Sequence, residues 1–137
     1  MHWAVKYIGL PYLAGGRERT RGLDCWGFFR LVYLQELRIE LPEFPGVGVG
    51  IEIARNREIT KEIKEHWTEV PIPREFCAVA MSQNTKFHHV GIWTDSDGGK
   101  VIHSWEGAGK VVADTLSNLQ RIRGIHLIKF FEYGLHH

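Results

Sequence analysis

Residues 24–37 read DCWGFFRLVYLQEL, and this stretch predicts the helix around which the rest of the chain is organised. Its apolar side chains recur at helical spacing and form one broad face. Asp24 stands where an N-cap belongs, because its carboxylate can accept hydrogen bonds from the amides of the first turn. We therefore predict a helix from Cys25 to about Leu37, with Cys25 at its N-terminus.

The segments on either side predict helices first and a sheet second. Residues 3–8 favour a short amphipathic helix, and residues 10–22 a loop rich in glycine and arginine. A connector over residues 41–50 leads to a charged helix over residues 51–67. Short strands follow, over residues 76–81, 88–94, 100–105, 110–113 and 124–133. The DSDGG run at residues 95–99 indicates a hairpin turn, and this order of elements predicts an α+β fold.

The composition limits the function classes that fit the chain. Its 137 residues predict a single domain over residues 1–137, and the formal net charge is +1, which gives no electrostatic reason to bind nucleic acid or a membrane surface. The two cysteines form neither a disulfide framework nor a paired zinc motif. The N-terminus lacks the apolar run of a signal peptide, and no stretch is apolar enough to span a membrane.

Cys25 is a candidate nucleophile because of its predicted place in the helix. A thiol reacts as its thiolate, and the amides and positive dipole end of a helix N-terminus stabilise that form. The same amides can hold a developing oxyanion. The alternative is that Cys25 is an ordinary buried core cysteine, as most cysteines are.

A nucleophilic cysteine needs a histidine from another element as its base. His88 and His89 lie in one predicted strand and therefore point to opposite faces, which argues against a His-His metal pair. His89 shares its face with Gly91, a gap that leaves room for another side chain. Periodicity alone does not say which of the two faces Cys25. His103, across the hairpin, is a candidate to hydrogen-bond the base and fix its tautomer.

Ordered motifs along the chain resemble those of a known family. They are GLPY at 9–12, GG at 15–16, GLDCWGF at 22–28, HVGIW at 89–93 and VIHS at 101–104. Together they resemble the NlpC-type cell-wall peptidases over residues 4–113. The resemblance implies a papain-like α+β fold, with the nucleophile helix packed on an antiparallel sheet. It also implies a Cys-His-His triad of Cys25, His89 and His103.

The same resemblance implies further roles and a substrate. Tyr12 would line the site and help to hold the oxyanion, and Asp24 would take part in substrate recognition. The implied reaction is hydrolysis of peptidoglycan stem peptides, commonly between D-γ-glutamyl and a diamino acid, with no metal or organic cofactor. The stem peptide would be the main partner, with no nucleic acid and no membrane.

The chain departs from the family pattern in two places. Trp26 replaces the usual serine after the nucleophile, and the Gly-Asp that often opens the first central strand is missing before Phe76. We expect Trp26 to border the cleft and narrow the subsite next to the sulfur. Tryptophan-bearing sequences of this kind occur among phage-tail and prophage members. A phage tail protein, in the virion or in the cytoplasm before delivery, is therefore the expected context, with other tail proteins as partners. The alternatives are a structural tail-tip module, or an acyltransferase or thioesterase on the same fold.

Overall fold

The nucleophile helix predicted from the sequence is present with the expected bounds. The computed structural model describes residues 2–43, 51–83 and 87–135, and gives residues 51–56 by backbone alone. Helix α1 spans Cys25–Leu37, and the carboxylate of its N-cap Asp24 accepts from the Gly27 amide. The helix ends where Arg38 adopts a left-handed conformation with φ 60°, and the Arg38 amide closes onto the carbonyls of the last turn.

A six-stranded antiparallel sheet packs against α1, so the fold is of the predicted α+β class. Its members are β3 (Trp67–Val70), β4 (Ala78–Ser82), β5 (His89–Thr94), β6 (Lys100–Trp105), β7 (Lys110–Asp114) and β8 (Leu127–Tyr133). They lie in the order β3-β8-β4-β5-β6-β7. Strands β4 to β7 follow one another as a meander, whereas β8 returns from the end of the sequence to lie between β3 and β4.

Each face of the sheet packs into a different apolar cluster. On one face, Val90 and Ile92 of β5 pack in the larger cluster with Phe28 and Phe29 of α1. On the other face, alternate residues such as Val101 join a smaller cluster with Leu119 and Ile125, which come from the segment after β7. Strand β5, in the middle of the sheet, is therefore buried along its whole length, whichever face its residues point to.

The remaining helices differ in part from the sequence expectation. Helix α2 spans Ile51–His66, and the predicted last residue, Trp67, instead begins β3. A third helix, α3 (Leu116–Arg121), was not predicted. At the N-terminus the expected helix is a single 3-10 turn over Trp3–Lys6. Residues 44–50 of the predicted connector lie outside the described residues. Within the described part of the chain, no helix is long and apolar enough to cross a membrane.

The loop before α1 is held by backbone hydrogen bonds. It contains a two-residue ladder between β1 (Arg17–Glu18) and β2 (Gly22–Leu23). Residues 9–12 run along the outer edge of β7, where Val111 donates to the Leu10 carbonyl at 2.8 Å and Tyr12 donates to the Gly109 carbonyl at 2.9 Å. This pairing covers an open strand edge and fixes Tyr12 beside the turn that joins β6 to β7.

Candidate active site

Cys25 opens α1 in a tightly built helix start. It is buried, and the carboxylate of the preceding residue, Asp24, accepts a hydrogen bond from the Gly27 amide at 2.7 Å. Arg17 donates to the same carboxylate oxygen, also at 2.7 Å. The cap is thus an ion pair as well as a hydrogen bond, which fixes the first turn more firmly than a cap exposed to water. A thiol in this position lies at the positive end of the helix dipole.

Glycine at position 27 is required by the close approach of the preceding loop. A Cβ at Gly27 would lie 2.2 Å from the carbonyl oxygen of Gly16 and 3.2 Å from the Arg17 guanidinium. The loop therefore passes directly over the first turn of α1. This contact lets Arg17 reach Asp24, and the resulting ion pair was not predicted from the sequence.

The start of α1 lies beside the part of the sheet that carries the two predicted histidines. The Ser104 hydroxyl of β6 donates to the Leu23 carbonyl at 2.6 Å. Ser104 follows His103, and Leu23 lies two residues before Cys25. The bond therefore holds the beginning of the nucleophile helix at the level of His103 in the sheet.

His89 and His103 form a buried hydrogen-bonded pair that continues to a carboxylate. The Nε2 atom of His89 lies 2.7 Å from Nδ1 of His103, and Nε2 of His103 lies 2.7 Å from Oδ2 of Asp114. His103 is 0% exposed and His89 is 6% exposed. Arg123 donates its Nε–H to the same Asp114 oxygen at 3.1 Å. The hydrogen bond between the two histidines, expected from the sequence, is present, and the chain extends one group further.

Burial and charge act together on the groups of this chain. Burial lowers the pKa of His103 below the ordinary value of 6.5, against the opposing effect of the Asp114 carboxylate. The pKa of Asp114 is also lowered: burial would raise it, but the hydrogen bonds from His103 and Arg123 outweigh that effect. The arrangement therefore favours a neutral His103 between His89 and an ionised Asp114.

Gly91 makes room for the histidine pair, as its place beside His89 suggested. A Cβ built at Gly91 would meet the Val101 Cγ1 atom at 2.6 Å and the His103 Cβ atom at 3.0 Å. The side chain of His103 thus occupies the space that a larger residue at position 91 would need. The gap predicted on the His89 face is filled by the second histidine.

Trp105 encloses the two rings from the side. Its ring lies 5.0 Å from the His89 ring in an edge-on arrangement, and 5.7 Å from the His103 ring. The guanidinium of Arg123 lies 5.9 Å from the Trp105 ring, so one arginine contacts both the carboxylate and the indole. Trp105 is half-buried and packs against both histidine rings.

The other histidine of β5 has a different environment. The Nε2 atom of His88 accepts from the Gln83 amide at 2.9 Å. This contact bridges the two ends of the β4–β5 connection. His88 is not the histidine that pairs with His103.

Cys77 is a core thiol. It is 4% exposed, and the Arg74 amide donates to its sulfur at 3.2 Å. Burial raises the pKa of this thiol above its ordinary value. Both cysteines are thus buried in apolar clusters, and Cys25 differs from Cys77 in lying at a helix N-terminus.

The expectation that Trp26 walls the cleft is wrong. Trp26 is 1% exposed, its ring stacks on Phe29 with centroids 5.4 Å apart, and its Nε1–H donates to the Pro42 carbonyl at 2.8 Å. A side chain with so little exposed surface cannot border an open subsite. The indole instead fills the core beside α1, and its one polar atom is satisfied by the chain after the helix.

Tyr12 and Asp24, the remaining predicted site residues, lie near the start of α1. Asp24 is 1% exposed, with Oδ1 bound by the Gly27 amide and Arg17, so its evident role is to build the helix start. Tyr12 is half-buried in the segment that runs along β7. Their roles toward a substrate stay predictions.

Asp114 and Arg123 are functional-site residues that were not predicted from the sequence. A signal for Asp114 was available: it lies on the same face of β7 as Val112, the residue paired with His103. A carboxylate one step diagonal from a buried histidine is within reach of its ring. Arg123 follows a helix that was not predicted and carried no signal. Among the residues that the structure describes, no group of three or more His, Cys, Asp or Glu side chains is placed to hold a metal ion.

Comparisons with known proteins agree on one family. The model of the NlpC/P60 family matches residues 9–123. The solved NlpC/p60 domain of the peptidoglycan hydrolase SagA superposes with a TM-score of 0.56 at 25% identity, over 92% of this chain and 91% of that domain.

Two curated proteins match shorter segments. Gamma-DL-glutamyl hydrolase of Bacillus subtilis (strain 168) is 49% identical over 39 residues, which is 28% of this chain and 9% of that protein. Protein P54 of Enterococcus faecium is 59% identical over 32 residues, 23% of this chain and 6% of that protein. In both cases the chain spans less than a tenth of the curated relative.

Proposed function

This chain belongs to the NlpC/P60 family, and on that premise we propose that it is a cysteine hydrolase of peptidoglycan stem peptides. Cys25 is the nucleophile, His89 its base, and His103 the group that orients the base. The bond cut is the amide between D-γ-glutamyl and a diamino acid. The observation that carries the proposal is the buried His89–His103–Asp114 chain, at the level of the sheet where α1 begins.

The geometry supports these roles in two ways. A cysteine at a capped helix N-terminus has the electrostatic environment in which thiolates are stabilised. A buried histidine held by a second polar group matches the arrangement that a general base requires. The names of two relatives support the proposal, since one is a peptidoglycan hydrolase and the other, a gamma-DL-glutamyl hydrolase, is named for a γ-glutamyl bond.

The first half of the reaction forms a thioester. His89 takes the thiol proton, and the Cys25 thiolate attacks the carbonyl carbon of the scissile amide. The carbonyl electrons move to oxygen, where the amides at the start of α1 and Tyr12 stabilise the negative charge. When the tetrahedral intermediate collapses, the C–N bond breaks and His89 gives its proton to the leaving amine.

The second half restores the enzyme. His89 takes a proton from a water molecule, whose oxygen attacks the thioester carbon. The C–S bond breaks, the substrate leaves as a carboxylic acid, and the thiolate regains its proton from His89. The net change is the addition of one water across the amide bond.

Digestion of purified muropeptides tests the proposal. Mass spectrometry should show products whose summed mass exceeds the substrate by one water. Cys25→Ala should abolish these products while the circular dichroism spectrum is retained, and Cys77→Ala is the matched control because Cys77 lies in an apolar setting. A wild type that yields no products, or a Cys25→Ala variant that yields them at the wild-type rate, would refute the proposal. Products that join the acyl group to an added amine would instead identify an acyltransferase.

Histidine variants test the assigned roles. His89→Ala should remove most activity, because the proton acceptor and the later proton donor are lost together. His103→Asn should be milder, because an amide can still hydrogen-bond the His89 ring, and His103→Ala should lie between the two. Silent changes at His103 would remove it from the triad.

A further inference from the structure

Asp114 and Arg123 are two charged groups that the proposed reaction does not use directly. Asp114 is 4% exposed, although a carboxylate is costly to bury unless it is paired. Its Oδ2 atom accepts from two sides, from His103 Nε2 at 2.7 Å and from Arg123 Nε at 3.1 Å. The guanidinium keeps the carboxylate ionised, and an ionised carboxylate can only accept hydrogen bonds.

The position of the protons on His103 follows from this restriction. Because Asp114 only accepts, Nε2 of His103 must carry a hydrogen. In a neutral ring the other nitrogen, Nδ1, is then an acceptor. A second proton on Nδ1 would make the ring a cation, which its complete burial disfavours.

The proton positions on His89 follow in turn. Nδ1 of His103 accepts, so Nε2 of His89, 2.7 Å away, must donate. The neutral His89 ring then has its hydrogen on Nε2 and a lone pair on Nδ1. Only a nitrogen with a lone pair can take a proton from a thiol or from water.

We infer that Asp114 is a positioning residue which, through His103, selects the tautomer of His89 in which Nδ1 is the proton-accepting atom. The inference rests on the proposed function for its catalytic meaning, and on the hydrogen-bond chain alone for its structural meaning. Arg123 supports it by holding the carboxylate in place. Asp114 acts through His103 and does not touch the substrate.

Nitrogen-15 NMR of the imidazole rings reads the tautomers directly in the wild type without substrate. In long-range ¹H–¹⁵N spectra at pH 7.5, both His89 and His103 should show a protonated Nε2 and an unprotonated Nδ1. Assignment uses His89→Gln and His103→Gln. A neutral His89 ring with its proton on Nδ1, or a His103 ring protonated at both nitrogens, overturns the inference.

Variants at Asp114 separate positioning from folding. Asp114→Ala removes the acceptor, so the folded variant should show mixed tautomers on both rings and a kcat lowered about 10- to 100-fold with little change in KM. Asp114→Asn keeps an acceptor oxygen, so it should recover a large part of the wild-type tautomer population and of the wild-type kcat. Glu69→Ala, which removes an exposed carboxylate paired with Lys129 in the same sheet, should change neither.

The outcomes distinguish the two proposals. If Asp114 only stabilises the fold, Asp114→Ala will lower the melting temperature but leave the tautomers and kcat of the folded protein unchanged. That result would overturn the inference. If Asp114→Ala does not fold, the tautomers seen in the wild-type NMR spectrum still confirm or refute the inference. A wild type with the expected tautomers but no muropeptide hydrolysis refutes the proposed function alone, and an active wild type with the opposite tautomer refutes the inference alone.

Discussion

Gly91→Ala should separate the two histidines without removing either of them. The added Cβ would lie 2.6 Å from the Val101 Cγ1 atom and 3.0 Å from the His103 Cβ atom, where carbon atoms normally stand about 3.5–4.0 Å apart. Val101 must therefore retreat by about 1 Å and His103 by about 0.5–1 Å. Overpacking of this size costs about 1–3 kcal/mol of unfolding free energy.

The effect on activity should exceed the effect on stability. A displacement of about 1 Å within a catalytic arrangement costs on the order of 100-fold in rate. Urea denaturation measures the loss of unfolding free energy, and muropeptide hydrolysis measures the loss of rate. Adding Val101→Ala to Gly91→Ala removes the shorter contact but leaves the one with His103. We expect the double variant to regain stability without regaining activity, and a Gly91→Ala protein with the wild-type rate would refute this reasoning.

Three further predictions concern the core, the thiols and pH. Trp26→Ser should lower the unfolding free energy by about 3–5 kcal/mol in urea denaturation, and Trp26→Phe by about 1 kcal/mol. A small loss of stability for Trp26→Ser, together with an altered product preference, would show that the indole borders the cleft after all. Iodoacetamide at pH 6.5 should alkylate Cys25 well before Cys77, as judged by peptide mass spectrometry, and equal rates would contradict an activated nucleophile. Because the folded protein lowers the pKa of His103, the unfolded chain binds its proton first, so the unfolding free energy should fall as the pH drops below about 6.5. His103→Asn should flatten that slope, and an unchanged slope would contradict the lowered pKa.

Local patterns were sufficient to predict α1 and the β5–β6 hairpin. A capping aspartate before a periodic apolar run defines a helix start from side chains that are adjacent in sequence, and the observed cap is the predicted one. The residues between β5 and β6 combine two aspartates with two glycines, which suit a tight reversal of the chain. The hydrogen bond between His89 and His103 was predictable for the same reason, since it joins neighbouring strands of one hairpin.

Elements that depend on distant partners were missed. Strand β3 has four residues of mixed burial, and what makes it a strand is its pairing with β8, more than fifty residues later in the chain. Helix α3 is too short to show a helical period, and Thr115, whose hydroxyl accepts from Asn118, was its main local signal. Trp26 was misplaced because a first-turn residue can face either the core or the cleft, and only the surrounding packing decides between them.

The place of β8 in the sheet has a consequence for how the chain is made. Among the described strands, β3 pairs with β8 alone, and β4 needs β8 to cover its outer edge. While the chain emerges from the ribosome, the meander from β4 to β7 can form early, but β3 and the outer edge of β4 stay without a partner until residues 127–133 emerge. Such unpaired edges are the surfaces through which nascent chains aggregate. The histidine chain lies wholly within the early meander and the segment that follows it, so the groups proposed for catalysis can assemble before the sheet is closed.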